Sequence, residues 1–305
     1  MTHSPIRILD GGLGTLLEDK YGVEFSRKTP LWGGHLLVGD QDTLLRAHQD
    51  FVQAGADVIT TATYQVSING FQGTKSPEWP TGVEGGNIVP FLHDAVHLVE
   101  RTRGDRPTEI ALSLGPYGAT MIPSTEYSGE YDAEHTTMEA LAGWHKERFL
   151  LFTKIENLFG RVNYIAFETI PRRDEIVAIR SLLEDSNLNL SAKPGFPRVW
   201  LSCLFPGEDE KLPDGSSVED AITAMLSNEY GTVVPWGIGI NCTKVWKMAS
   251  LVDKYEAAVQ NLIDTGVVRD WPSLVLYPDG TNGEVYNTST GIWEVPEGTK
   301  LPKVS

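Results

Sequence analysis

The sequence predicts an α/β fold built from successive strand–helix units in one domain, and two observations carry that expectation. Seven short β-type runs alternate with amphipathic stripes of helical period, spaced by roughly thirty to forty residues, as in repeated βα units. Polar residues, namely Asp10, Thr61, Thr63, Glu168, Asn241 and Cys242, fall at the carboxyl ends of these runs. In a chain of 305 residues this pattern suggests a TIM (β/α)8-type barrel, whose active site lies at the strands' carboxyl ends. A doubly wound open sheet is the structural alternative, and it too clusters strand ends.

Ile6–Leu9 is the first β-type run, and it leads into Asp10-Gly-Gly-Leu-Gly-Thr15. That sets a carboxylate at the strand's mouth, beside glycines, Gly12 among them, that let backbone and ligand approach closely. The spacing is not the GxGxxG of a phosphate-binding turn. Leu44, Leu45, His48, Phe51 and Val52 form a helical stripe, with Gly55 as its stop. Ala56–Tyr64 is the second strand, β-branched and ending in hydroxyls. Gln72–Asn87 reads as an irregular excursion before the next stripe of Ile88, Leu92, Ala95, Val96 and Val99. His93 and His97 stand at i, i+4, a spacing that can hold a metal, but no glutamate completes an HExxH pattern. A solvated helix face is the expectation there.

Glu109–Gly115 is the third strand, and a long loop with three tyrosines follows as far as Tyr131. Such a loop is either a lid or substrate wall, or an ordinary surface connection. Leu141–Phe159 reads as one helix, and Tyr164–Ile170 as the fourth strand. Glu168 interrupts that apolar strand near its end. A buried carboxylate is costly unless paired, so it is either a ligand for a cation or part of a polar network. A helix from Asp174 to Leu183 precedes the fifth strand, Val199–Phe205, which holds Cys203. After a solvated acidic loop, Val218, Ile222, Met225 and Leu226 mark the next helix.

Gly237–Thr243, Gly-Ile-Gly-Ile-Asn-Cys-Thr, is a buried sixth strand that presents an amide and a thiol just ahead of a helix through Leu251, Tyr255, Val259, Leu262 and Ile263. A cysteine in that place is either a small buried hydrophobe or a working thiol. Ser273–Tyr277 is the seventh strand. No further apolar β-type run follows, so an eighth strand is missing from the single domain expected over residues 1–305, and 283–305 reads as an irregular tail. A closed barrel pairs its last strand with its first. The groove between the first and seventh strands is therefore expected to be exposed or loosely covered by Gly283–Ser305.

The formal net charge of −16 argues against a nucleic-acid partner, which needs a basic stripe. No apolar run approaches membrane-spanning length, and the amino terminus lacks the apolar core of a signal peptide. Two cysteines do not make a disulfide framework, so a reducing compartment, the cytoplasm, is expected.

Seven motifs occur in one order: Asp10-Gly-Gly-Leu-Gly-Thr15, Ala54-Gly-Ala-Asp-Val-Ile-Thr-Thr-Ala-Thr-Tyr-Gln65, Gly115-Pro-Tyr-Gly-Ala119, Glu126-Tyr-Ser-Gly-Glu-Tyr131, Phe167-Glu-Thr169, Gly239-Ile-Asn-Cys242 and Tyr277-Pro-Asp-Gly280. Together they resemble the homocysteine S-methyltransferase family. The resemblance implies a barrel that transfers a methyl group to the homocysteine sulfur, from S-methylmethionine or S-adenosylmethionine. It implies zinc held by three cysteines, of which Cys242 matches the first. It also implies that Asp10 and Glu168 grip the substrate ammonium, and Gly12 and Asn241 are assigned to substrate binding with them. The family's other two zinc cysteines lie in a Gly-Gly-Cys-Cys run that these 305 residues do not contain. Beside impaired methyl transfer, the open readings are an inactive barrel that binds a small amino acid or serves as a partner subunit, and a truncated chain. The oligomeric state is left open.

Overall fold

The alternation of β-branched runs and helical stripes becomes strands and helices, with several strands shorter than the runs that announce them. The computed structural model describes residues 6–104, 107–190, 193–281, 284–287 and 292–295. Its contacts divide the chain into two compact units, Met1–Gly115 with Glu147–Ala166, and Pro116–Lys146 with Phe167–Ser305.

In the first unit the first predicted strand is reduced to one parallel bridge, Leu9 to Val58, extended by Asp10 N–H donating to Val58 O at 3.0 Å. Helices α1 (Leu13–Tyr21), α2 (Leu36–Gly39) and α3 (Gln41–Ala54) follow, and then β1 (Val58–Thr60). Asp40 caps α3 by accepting from Thr43 N–H at 3.0 Å, and Gly55 ends it at φ 107°. The stripe expected around His48 is the buried face of that helix.

Helices α4 (Ile68–Gly73) and α5 (Ile88–Glu100) lead to β2 (Glu109–Leu114), which pairs in parallel with β1. β1 stops early because threonine hydroxyls replace ladder bonds. Thr61 Oγ1 accepts from Ser113 N–H at 3.1 Å, and Thr63 Oγ1 donates to Ser113 O at 2.7 Å.

The single helix expected over Leu141–Phe159 is in fact two, α6 (Met138–Phe152) and α7 (Leu158–Arg161). Thr153 Oγ1 turns back to Leu150 O at 2.9 Å, and Asn157 takes the left-handed φ of 51°, which no helix continues through. β3 (Tyr164–Ile170) then carries the chain out of the first unit, whose strand order is β1-β2-β3.

In the second unit β3 is followed by α8 (Arg173–Leu183), β4 (Arg198–Cys203), α9 (Val218–Leu226), β5 (Gly237–Lys244), α10 (Met248–Asp264) and β6 (Ser273–Asp279), with strand order β3-β4-β5-β6. β4 and β6 both pair in parallel with β5. Gly239 is where the backbones crowd: a Cβ there would lie 2.4 Å from Val275 O, inside the β5–β6 ladder. Buried Arg180 of α8 donates to the carbonyls of Ala224, Met225, Ser227, Gly231 and Val233, tying the end of α9 and its following turn to α8.

After β6 the structure departs from expectation. β7 (Val285–Asn287) and β8 (Ile292–Glu294) form a small antiparallel pair where the sequence showed no apolar β-type run. The rest of the expectation for Gly283–Ser305, as cover for a groove, lies outside the described residues. Leu274 and Leu276 of β6 are 47% and 39% exposed. No helix among the described residues is long and apolar enough to cross a membrane.

Candidate functional site

The ends of β3 and β5 meet in an unusual piece of backbone. Thr169 has φ 62° and Cys242 φ 48°, and neither is glycine. A β-branched residue at positive φ is strained, and such residues persist where their surroundings hold them. Buried Asn241 does the holding. Its Oδ1 accepts from Thr169 N–H at 2.9 Å, while its Nδ2 donates to Thr169 Oγ1 at 2.6 Å and to Cys242 Sγ at 3.2 Å. β5 is irregular between Asn241 and Lys244 for the same reason: the left-handed turn at Cys242 breaks the register with β6.

Cys242 is half-buried, and its sulfur also lies 3.7 Å from Thr169 Oγ1 and hydrogen-bonds the Tyr127 hydroxyl. Burial pushes its thiol up to about 11, and the nearby charges of Glu168 and Glu126 push the same way. Glu168 is buried, as its apolar strand predicted. Tyr277 of β6, hydrogen-bonded to Ser202 Oγ at 2.5 Å and to Trp200 Nε1 at 3.2 Å, is within electrostatic reach of both Glu168 and Cys242. Replacing Asn241 with Ala should cost about 2 kcal/mol, because Thr169 N–H is then left buried without an acceptor. Denaturant unfolding measures it, and an Asn241→Ala chain as stable as its parent would show that the amide holds nothing.

Two residues of this site carried no assignment in the sequence. Glu126 and Tyr127 come from the loop between β2 and α6, so the loop is a wall of the thiol site rather than a bare connection. It is pinned by Glu175, which is fully buried on α8 and accepts from Tyr117 N–H at 2.7 Å, His145 Nε2 at 2.9 Å and Tyr131 OH at 2.5 Å. Thr125 N–H donates to Gly118 O at 2.9 Å and Gly129 N–H to Thr125 O at 2.8 Å, which fixes the backbone on either side of Glu126. Glu126 is 3% exposed, and among the described residues its Oε2 has no hydrogen-bond partner. Burial pushes its carboxyl up to about 7, against the hydrogen bonds of its own N–H and the Ser124 side chain. The only advance signal was its place inside a motif.

Asp10 and Gly12 belong to the first unit. Asp10 Oδ2 accepts from Thr60 N–H at 2.8 Å and from Thr60 Oγ1 at 2.9 Å, so the carboxylate fastens the chain to the end of β1. Gly12 is exposed and precedes α1, and a Cβ there would only touch Thr15 Oγ1 at 3.4 Å. Cys203 is fully buried inside β4. The His93 and His97 rings stack 5.9 Å apart on the solvated side of α5, near Asp94 and Glu100.

An open cavity of about 670 Å³ lies among Ser128–Tyr131, Arg172–Asp174 and Pro213–Ser216. It is distinct from the thiol site, since neither Cys242 nor Glu168 lines it, and its Arg172 is already bound to Asp174 at 2.5 Å. No group of three or more His, Cys, Asp or Glu side chains among the described residues is arranged to hold a metal. Catalytic zinc takes three protein ligands. The described residues offer one thiol at this site, so they do not complete the zinc centre that the family resemblance implies.

Residues 7–299 match the homocysteine S-methyltransferase family. Homocysteine S-methyltransferase 2 of Zea mays is 31% identical over 299 residues, which is 94% of this chain and 76% of that protein. Homocysteine S-methyltransferase YbgG of Bacillus subtilis is 28% identical over 294 residues, 95% of this chain and 81% of that one. The crystal structure of the homocysteine methyltransferase MmuM from Escherichia coli in its metallated form superposes with a TM-score of 0.66 at 27% identity, covering 92% of this chain and 85% of that chain.

Proposed function

Because the chain belongs to the homocysteine S-methyltransferase family, we propose that it binds homocysteine and carries a methyl group to its thiol, forming methionine, with S-methylmethionine or S-adenosylmethionine as donor. One observation carries the reading: in a chain that matches the family over residues 7–299, Asn241 ties Thr169, the neighbour of Glu168, to the Cys242 thiol at the strained ends of β3 and β5. In this reading residues 1–305 make one barrel-type domain working in the cytoplasm, and its two free cysteines suit a reducing compartment.

Asp10 and Glu168 take the substrate ammonium, each through a charge-assisted hydrogen bond. Gly12 leaves the approach to Asp10 open. Asn241 orients Cys242 beside the bound substrate, and Cys242 is the thiolate that a zinc ion would use. Calorimetry with L-homocysteine tests the assignment. Asp10→Asn and Glu168→Gln should each weaken binding by about 1–3 kcal/mol, the range for a hydrogen bond to a charged group. Unchanged affinity in both variants would remove them from the pocket.

A second reading, a small amino-acid binder without transfer activity, is favoured by the single thiol at the site. It keeps homocysteine binding and lacks turnover, so the same binding measurement paired with an activity assay separates the two.

A further inference from the structure

We propose that Glu126 is the counter-ion that selects a positively charged methyl donor, an onium whose methyl group sits on a sulfonium or a quaternary ammonium. The proposal rests on the methyltransferase reading above and adds to it a charged residue that the assignment of Asp10, Glu168 and Cys242 does not use.

The starting point is an oxygen atom without a partner. Glu126 Oε2 is buried and accepts no hydrogen bond among the described residues. Leaving a buried acceptor unmet is costly, more so when it can ionise. The backbone that carries it is fixed by Thr125 N–H donating to Gly118 O and Gly129 N–H donating to Thr125 O. Its charge is felt at the Cys242 thiol and at the Tyr127 hydroxyl, so the carboxylate lies within electrostatic reach of the thiol site. Glu168 adds a second negative charge there, also felt by Cys242 and Tyr277.

A buried carboxylate oxygen that no donor meets among the described residues calls for a cation, and the chemistry narrows which one. An ammonium brings N–H groups and is already assigned to Asp10 and Glu168. A zinc ion calls for several deprotonated donors, and the described residues supply one thiol at this site. An onium has neither N–H nor O–H. It is held by charge and by aromatic faces rather than by hydrogen bonds. A carboxylate oxygen without a hydrogen bond, in the loop whose next residue, Tyr127, reaches the Cys242 thiol, suits that kind of ion.

The proposal also makes sense of turnover. The donor's methyl–sulfur (or methyl–nitrogen) bond breaks with its electron pair staying on the donor atom. A new methyl–sulfur bond forms on homocysteine, and the thiol proton leaves to solvent. The donor's positive charge disappears in that step, so the spent donor loses its attraction to Glu126 and departs.

The test is equilibrium binding to the 305-residue chain and its Glu126→Gln and Glu126→Asp variants, each checked for native circular dichroism. The probes are S-methylmethionine, glycine betaine and, as the neutral thioether match, methionine. The parent chain should hold one of the two oniums at least about tenfold more tightly than methionine, the scale of a charge contact in a dry site. Which of the two shows the margin identifies sulfonium or ammonium. Glu126→Gln should erase the margin without changing the affinity for methionine, and Glu126→Asp should keep part of it.

An unchanged margin in folded Glu126→Gln overturns the proposal. So does an equal loss for methionine and the oniums, which would put Glu126 on the amino-acid ammonium. Zinc binding that is present in the parent and lost in Glu126→Gln would make the partner a metal and overturn it as well. A parent chain that binds homocysteine and none of the donors refutes the onium site alone, whereas one that binds neither refutes the methyltransferase reading itself.

Discussion

Assayed as the 305-residue chain with homocysteine, S-methylmethionine and added zinc, methyl transfer should run below about 0.01 per second, against an ordinary enzymatic rate of about 1 per second or more. The attacking species is a thiolate, and a thiol of ordinary pKa, about 8.5, is only about 3% ionised at pH 7. Binding to zinc would remove that proton outright, but catalytic zinc takes three protein ligands. The sequence holds two cysteines, and Cys203 is sealed inside β4 while Cys242 stands alone at the strand ends. Whatever rate remains should climb about tenfold per pH unit toward pH 8.5, because it follows the thiolate fraction. Turnover near 1 per second that Cys242→Ala abolishes would mean that a full ligand set exists. Recovery of rate on appending a strand and helix that carry Gly-Gly-Cys-Cys would show that the two missing thiolates are what held it down.

Half of the thiol site was legible in the sequence, because some residues break a pattern in one dimension. Glu168 interrupts an apolar strand, and Asn241 and Cys242 end one, so each stood out without a structure. Glu126 did not. In Glu126-Tyr-Ser-Gly-Glu-Tyr131 a carboxylate in a polar loop reads as solvated, and its burial depends on Glu175 of α8 gripping Tyr117 and Tyr131 from a distant part of the chain. No local period encodes that.

The fold divides in the same way. The helical stripes of α3, α5, α8, α9 and α10 were visible because one face of each is apolar. The early end of β1 was hidden, since threonine hydroxyls that favour a strand by propensity also compete for its ladder bonds. The break between α6 and α7 was hidden likewise, because Asn157 in the left-handed region is a choice made by the surrounding chain. The positive φ of Thr169 and Cys242 is the clearest case. Nothing about Thr or Cys predicts it, and it exists because Asn241 reaches across from β5 to a peptide of β3.

Glu126→Gln should make the chain more stable at pH 8.5 by roughly 3 kcal/mol, and the gain should vanish near pH 4. The size follows from a carboxyl raised from 4.5 to about 7 by burial, at about 1.4 kcal/mol per pH unit. The native chain holds this proton more tightly than the unfolded chain does. Between pH 4.5 and 7 the folded state therefore carries more bound protons, and its stability falls as pH rises. Below 4.5 both states are protonated and the penalty is absent; above 7 it is complete. Glutamine imitates the protonated acid, so it removes the penalty at alkaline pH, and any constant cost of its extra N–H groups shifts the whole curve without changing its slope. Among the described residues, Glu126 interacts with Ser124, Tyr127 and the Cys242 thiol, and none of these brings a positive charge that would cancel the effect. Unfolding midpoints in denaturant at pH 4, 5.5, 7 and 8.5, read at constant m, give the slope for each chain. Parallel curves would mean that Glu126 is ionised at little cost, with a cation already beside it. A divergence that closes when saturating S-methylmethionine is added would tie the stored penalty to the donor, since an onium that binds the ionised form supplies the charge the fold leaves out.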